Sequence, residues 1–172
     1  MSSYPLRYFG DPVLKQRARE VEELTGDLQT LVHGMFDTMD LEEGIGLAAP
    51  QVGVRKRIFT YDLHEGDGPN VVINPEIVLF EGEVISEEGC LSIPDMRFEV
   101  VRHATITVQG IDLHGSEVVL EGDDLMARML QHEIDHLDGV LLVDRLDPDA
   151  RKEALRELRM HDLPTPSGGF GR

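Results

Sequence analysis

The segment from Leu125 to Leu137 carries two apolar stripes at once, which requires a single helix buried on two sides. Met126, Leu130, Ile134 and Leu137 recur at helical spacing, and Leu125, Met129, His132 and His136 form an adjacent stripe. One stripe enters a core while the other lines a pocket. Residues four apart share a helical face, so His132 and His136 can grip one divalent ion while Glu133, one step round, reaches its open side. That is an arrangement for ion-activated water, with packed or solvated histidines as the plain alternative.

The rest of the chain is organised around this helix. Asp27 is the expected cap of an earlier helix with apolar residues at Leu28, Leu31, Val32, Met35, Phe36 and Met39. Met35 and Met39 read as core rather than as a substrate groove. The helix should stop near Gly44 and Gly46. Strand-forming stretches follow from Arg57, from Val71 and from Phe98 to Ile111, with Pro75 demanding a sheet edge or a break. Val140 to Val143 read as a short buried strand or extended segment, and Asp147 with Pro148 open a last helix with Ala154, Leu155 and Leu158 inward. The fold class is therefore α+β, antiparallel strands packed around a central metal-binding helix with a C-terminal helix. The chain is expected to form one catalytic domain over residues 1–172, with 163–172 a flexible Pro- and Gly-rich tail.

Charge and cysteine content remove several function classes. Asp and Glu number 33 against 16 Lys and Arg, a net charge of −17 that repels phosphate, so no direct nucleic-acid recognition is expected. Lys15, Arg17 and Arg19, mixed with Glu20, make no basic patch. A lone cysteine forms no internal disulfide, no apolar run approaches the ~20 residues that span a bilayer, and MSSYPLRYFG resembles no leader. The expectation is a cytoplasmic protein without membrane attachment.

That cysteine, Cys90, stands between Gly89 and Leu91 and close to Pro94, a setting that suggests a shaped turn presenting a side chain. A lone cysteine is commonly inert and buried. Joined to the two histidines, it leaves a fourth tetrahedral position open for water, as catalytic sites do. His33, His64, His103, His114 and His161 lack a partner at ligand spacing. Asp135 reads as an outer support that bonds a ligand or an arginine, Glu88 as a support for the cysteine turn, and Arg97 and Arg102 as scaffold ion pairs.

Three segments in order, GIGLAAPQ from Gly44 to Gln51, EGCLS from Glu88 to Ser92 and HEIDHLDG from His132 to Gly139, make the sequence resemble the peptide deformylase family. The resemblance implies Cys90, His132 and His136 as metal ligands and Glu133 as the general acid and base. It also implies Gln51, through its amide, and Leu91, through its backbone N–H, as oxyanion donors. The implied reaction is hydrolysis of the formyl group from the N-terminal formylmethionine of nascent polypeptides, with formate released and transient ribosome association. Iron(II) is the implied ion, with zinc, nickel or cobalt able to occupy the same ligands. The methionine pocket maps to Ile45, Leu125, Arg128, Met129 and the surroundings of His132, with peptide backbone running beside Gly44, Gly46 and Gly89. Arg128 departs from the aliphatic residue usual there, and Met129 is bulkier than is common. A zinc peptidase with the same HExxH core is the nearest rival, although its third ligand usually lies downstream. A metal-stabilised peptide-binding module is a second, but it leaves an exposed Glu133 and Gln51 without work.

Overall fold

The computed structural model describes residues 2–164 and shows the α+β architecture. Helix α1 spans Gly26–Leu41, and strand β1 spans Gly46–Ala48. Then come β2 (Ile58–Tyr61), β3 (Asn70–Glu81), β4 (Val84–Cys90), β5 (Ile93–Arg102), β6 (Thr105–Ile111) and β7 (Glu117–Gly122), before α2 (Asp124–Leu137) and α3 (Pro148–Met160). The antiparallel main sheet has the order β1-β2-β3-β6-β7, and β4 with β5 forms a separate hairpin inserted between β3 and β6.

Helix α1 buries Leu28, Leu31, Val32, Met35 and Met39 in one core cluster with Leu47, Ile58 and Ile73. Its cap is Thr25, whose side chain accepts from the Leu28 N–H, and not Asp27. Asp27 lies instead in the first turn, where a carboxylate suits the positive end of the helix dipole. A second cluster sets α2 against the sheet through Ala127, Met129, Leu130, Ile134 and Leu137, meeting Phe59, Val72 and Val108.

Pro75 lies within an interior strand, yet β3 changes partners at that point. Residues 70–73 pair with β2, and the ladder with β6 slips register between Ile73 and Glu76, so the missing N–H falls where the ladder is already broken. Asn74 takes a left-handed φ of 51° there, and its side chain accepts from the Val21 N–H and donates to the Val21 carbonyl.

Two expectations are corrected. The stretch from Phe98 to Ile111 is not one strand. It breaks at His103 and Ala104, so that β5 belongs to the hairpin and β6 to the main sheet. Val140 to Val143 form no strand either; Leu142–Arg145 is a 3-10 turn, closed by Asp144 accepting from the Leu141 N–H. Asp147 caps α3, accepting from the N–H groups of Asp149 and Ala150. Most of the expected tail, from residue 165 onward, lies outside the described residues.

Candidate active site

Helix α2 is stopped just past its functional residues. Gly139 has a φ of +73°, and a Cβ there would meet the Lys15 carbonyl oxygen at 2.7 Å, so only glycine suits this turn. Arg57 donates to the Leu137 carbonyl at 3.0 Å and to Asp138 at 2.9 Å, filling the helix end with a cation.

Cys90 arrives from the hairpin. The β4–β5 ladder slips between Gly89 and Cys90, from Gly89↔Arg97 to Cys90↔Ile93, so the extra residues Pro94 to Met96 lie on the β5 side while β4 runs unbroken to the cysteine. Cys90 Sγ lies 3.3 Å from His136 Nε2, which lies 3.2 Å from His132 Nε2. A tetrahedral ion at about 2.0–2.1 Å from nitrogen and about 2.3 Å from sulfur would hold these atoms about 3.3–3.6 Å apart, so the three donors need to spread by only a few tenths of an ångström. The donor set fits one divalent ion, and the three residues are the only such cluster among the described residues.

Glu133 was expected to be exposed in a mere binding module. It is instead buried, at 4% of its free exposure. A Cβ on Gly46 would fall 2.5 Å from Glu133 Oε1, so the glycine makes room for the carboxylate, while Glu133 Oε2 is buried with no partner. Burial pushes the Glu133 pKa up to about 7, where a proton acceptor works well near neutrality. Gln51, also buried, is oriented at both ends. Its Oε1 accepts from the Ala48 N–H at 2.9 Å, and its Nε2 donates to Ser92 Oγ at 3.2 Å and faces Cys90 Sγ at 3.8 Å. Ser92 was not singled out in the sequence, although it closes EGCLS.

The two histidines stand in different surroundings. His132 Nδ1 lies 3.0 Å from Glu88 Oε1, whereas His136 Nδ1 is buried without a partner. Burial alone would lower His132, but hydrogen bonds with Cys90 and Glu88 and the charges of Cys90 and Glu133 outweigh it and set its pKa well above the histidine norm. Burial, aided by the charges of His132 and Arg102, holds His136 well below. Burial likewise pushes Glu88 up, and bonds from His132 and Arg102 overcome it, bringing Glu88 down to about 2. Arg102 is a buried scaffold pair, and Arg97 an exposed one with Glu87 at 3.0 Å. Alternation along β4 puts Glu88 and Cys90 on one face, a signal present in the sequence.

A cleft of about 740 Å³ opens over these groups. It is lined by Gly44, Ile45, Gly46, Gly89, Leu91, Leu125, Arg128 and Met129, together with Gln51, Cys90, His132 and Glu133; His136 lies just behind, buried. Tyr8, Glu42 and Pro94 also reach this cleft and were not anticipated.

One ion-binding triad, a buried carboxylate of raised pKa and an amide donor facing the same opening define the active site of a metal-dependent hydrolase. The chain belongs to the peptide deformylase family: residues 3–152 match the family described as Polypeptide deformylase. It is 46% identical over 155 residues to a peptide deformylase of Thermodesulfovibrio yellowstonii, with 88% of this chain and 94% of that protein covered. A crystal structure of a Legionella pneumophila peptide deformylase superposes with a TM-score of 0.87 at 43% identity, over 92% of this chain and 94% of that one. An Ehrlichia chaffeensis peptide deformylase in complex with actinonin gives 0.88 at 36% identity, over 95% and 100%.

Proposed function

We propose that this protein hydrolyses the formyl group from the N-terminal formylmethionine of nascent polypeptides, releasing formate and a free amine. The observation that carries this reading is the convergence of the Cys90–His132–His136 triad, buried Glu133 and the Gln51 amide on one cleft. A bound ion supplies Lewis acidity, lowering the pKa of water and polarising a carbonyl. Glu133 takes the proton from the attacking water as its oxygen bonds to the formyl carbon. It then returns that proton to the departing nitrogen as the carbon–nitrogen bond breaks. Gln51 Nε2 and the Leu91 N–H donate to the oxygen on which negative charge collects. Ser92 and Ala48 hold the Gln51 amide in place for this, so no reorientation is needed during reaction.

The methionine side chain enters between Ile45, Leu125, Arg128 and Met129, where a flexible thioether fits an apolar wall. The peptide backbone lies between Gly44 to Gly46 and Gly89, in the manner of an added strand. Iron(II) is the proposed ion, and a thiolate with two imidazoles also suits zinc, nickel and cobalt. No helix among the described residues is long and apolar enough to cross a membrane. A cytoplasmic location and transient ribosome contact belong to the same reading, while the acidic charge speaks against direct nucleic-acid recognition. The chain works as a single catalytic domain in this reading.

Protein purified without oxygen and carrying one divalent ion should release formate from formyl-Met-Ala, with metal quantified on the same sample. Metal-loaded protein that releases none overturns the proposal. Actinonin, bound by the Ehrlichia chaffeensis relative, should suppress the release.

A further inference from the structure

Behind the metal ligands, four charged side chains form a continuous ionic chain that the reaction itself does not use. Arg102 donates from Nε and Nη2 to the two oxygens of Glu88 at 2.9 and 3.0 Å, and from Nη1 to Asp135 Oδ2 at 2.6 Å. Arg145 donates from Nη2 to Asp135 Oδ1 at 2.5 Å and from Nε to Asp135 Oδ2 at 3.0 Å. At the other end Glu88 meets His132 Nδ1 at 3.0 Å. The inner members are 3–10% exposed, whereas the Arg145 side chain is 47% exposed. A cavity of about 240 Å³, sharing no lining residue with the catalytic cleft, is bounded by Arg102, His103, Gln131, Asp135 and Arg145.

We propose that Arg145 is a positioning residue for the metal ligand His132, acting from this rear cavity through Asp135, Arg102 and Glu88. The direction of its effect follows from sharing. All three guanidinium nitrogens of Arg102 are divided between two carboxylates, and Asp135 is divided between two arginines. Without Arg145, the negative charge of Asp135 falls wholly on Arg102 and draws that guanidinium away from Glu88. Glu88 then holds the His132 ring less firmly, and an imidazole with a loosened outer partner is a poorer metal ligand. His136 has no such brace at its Nδ1, so the effect concentrates on one of the two histidines. The 3-10 turn Leu142–Arg145 thereby communicates with the ion although it contributes no ligand.

This inference rests on the metal-site reading given above. Its test follows dissociation of Co2+ from the loaded protein into excess chelator, with the Co2+ absorption spectrum and thermal stability recorded in parallel. Arg145→Ala should release the ion about three- to tenfold faster and alter the spectrum, less than the roughly 10–100-fold typical of a direct outer partner. Arg145→Lys, which restores the charge, should recover most of the parent's rate. Parent-like dissociation and spectrum in folded Arg145→Ala overturn the relay. So does faster release in Lys and Ala alike, or release that only follows a general loss of stability. Failure of the parent to take up one Co2+ would instead overturn the metal site.

Discussion

The two halves of α2 are held in opposite ways. From Glu133 to Leu137 every residue is buried, and Asp135 is clasped by two arginines. Toward the start, Leu125 is 43% exposed and Arg128, half-buried on the cleft wall, has no ion-pair partner within 4.0 Å among the described residues. Asp124 stands one turn earlier, at the spacing where ion pairs form, and still does not engage it. One helix thus carries a C-terminal stretch whose side chains are over-determined by neighbours and, near its start, cleft side chains at Leu125 and Arg128 with freedom left. Chemistry needs the first kind of order, because reacting groups must be fixed before substrate arrives. Recognition tolerates the second.

The sharpest way to break this contrast is Glu133→Gln. It should keep the ion and lose about 10²–10⁴-fold in turnover, since the ligands stay and the proton acceptor goes. Formate release and metal content on one sample decide it, and retained turnover would mean that the rigid half is not the catalytic half. Gly46→Ala should come next, with a loss on the order of 100-fold in kcat, because the new methyl displaces the Glu133 carboxylate. A variant with parent-like kcat would show that Glu133 needs no such exact seat.

A smaller effect separates burial from chemistry in the metal-free protein. Burial raises the folded pKa of Glu133 from 4.5 to about 7, so the unfolded chain gives up this proton first and stability falls as pH rises through that window. Glu88 acts with the opposite sign: its contribution is present above 4.5 and lost as pH falls toward about 2. Glu133→Gln should therefore melt above the parent at pH 8, with the gap closing near pH 4, because both proteins share the Glu88 contribution. A gap independent of pH would contradict the assigned burial cost. At the free end, Arg128→Ile should change the preference between formyl-Met and formyl-norleucine peptides by about tenfold, the lower end of the range for one methylene in a hydrophobic pocket. An unaltered ratio would place Arg128 outside recognition altogether.

The same contrast marks what could be read from the sequence. HEIDH on a doubly apolar stripe disclosed both histidines and Glu133, because helical period converts directly into a shared face. The α1 core and the Asp147 cap of α3 were legible for the same local reason. The family resemblance supplied Gln51 and Leu91, which no periodicity would have singled out. Strands β4 and β7 were missed, being rich in Glu and exposed on one face. The break at His103 was hidden within a continuous run of strand formers, and the Leu142–Arg145 turn mimicked a buried strand because every apolar residue in it is covered. The ionic chain was seen only in fragments. The charges of Asp135 and Arg102 each call for an arginine or carboxylate partner, but their meeting depends on how the hairpin packs against α2, which sequence spacing does not encode.

The origin of the ligands has a mechanical consequence. Cys90 comes from the β4–β5 hairpin, whereas His132 and His136 come from α2, so an ion held by all three is a cross-link between two separately built layers. Like any ligand that binds only the folded form, it adds stability in proportion to the logarithm of its concentration over its Kd. The link also has a single vulnerable strut. Oxidation of the Cys90 sulfur removes a donor from the ion and unfastens the hairpin from the helix in the same event, so inactivation and loosening of the fold are one lesion.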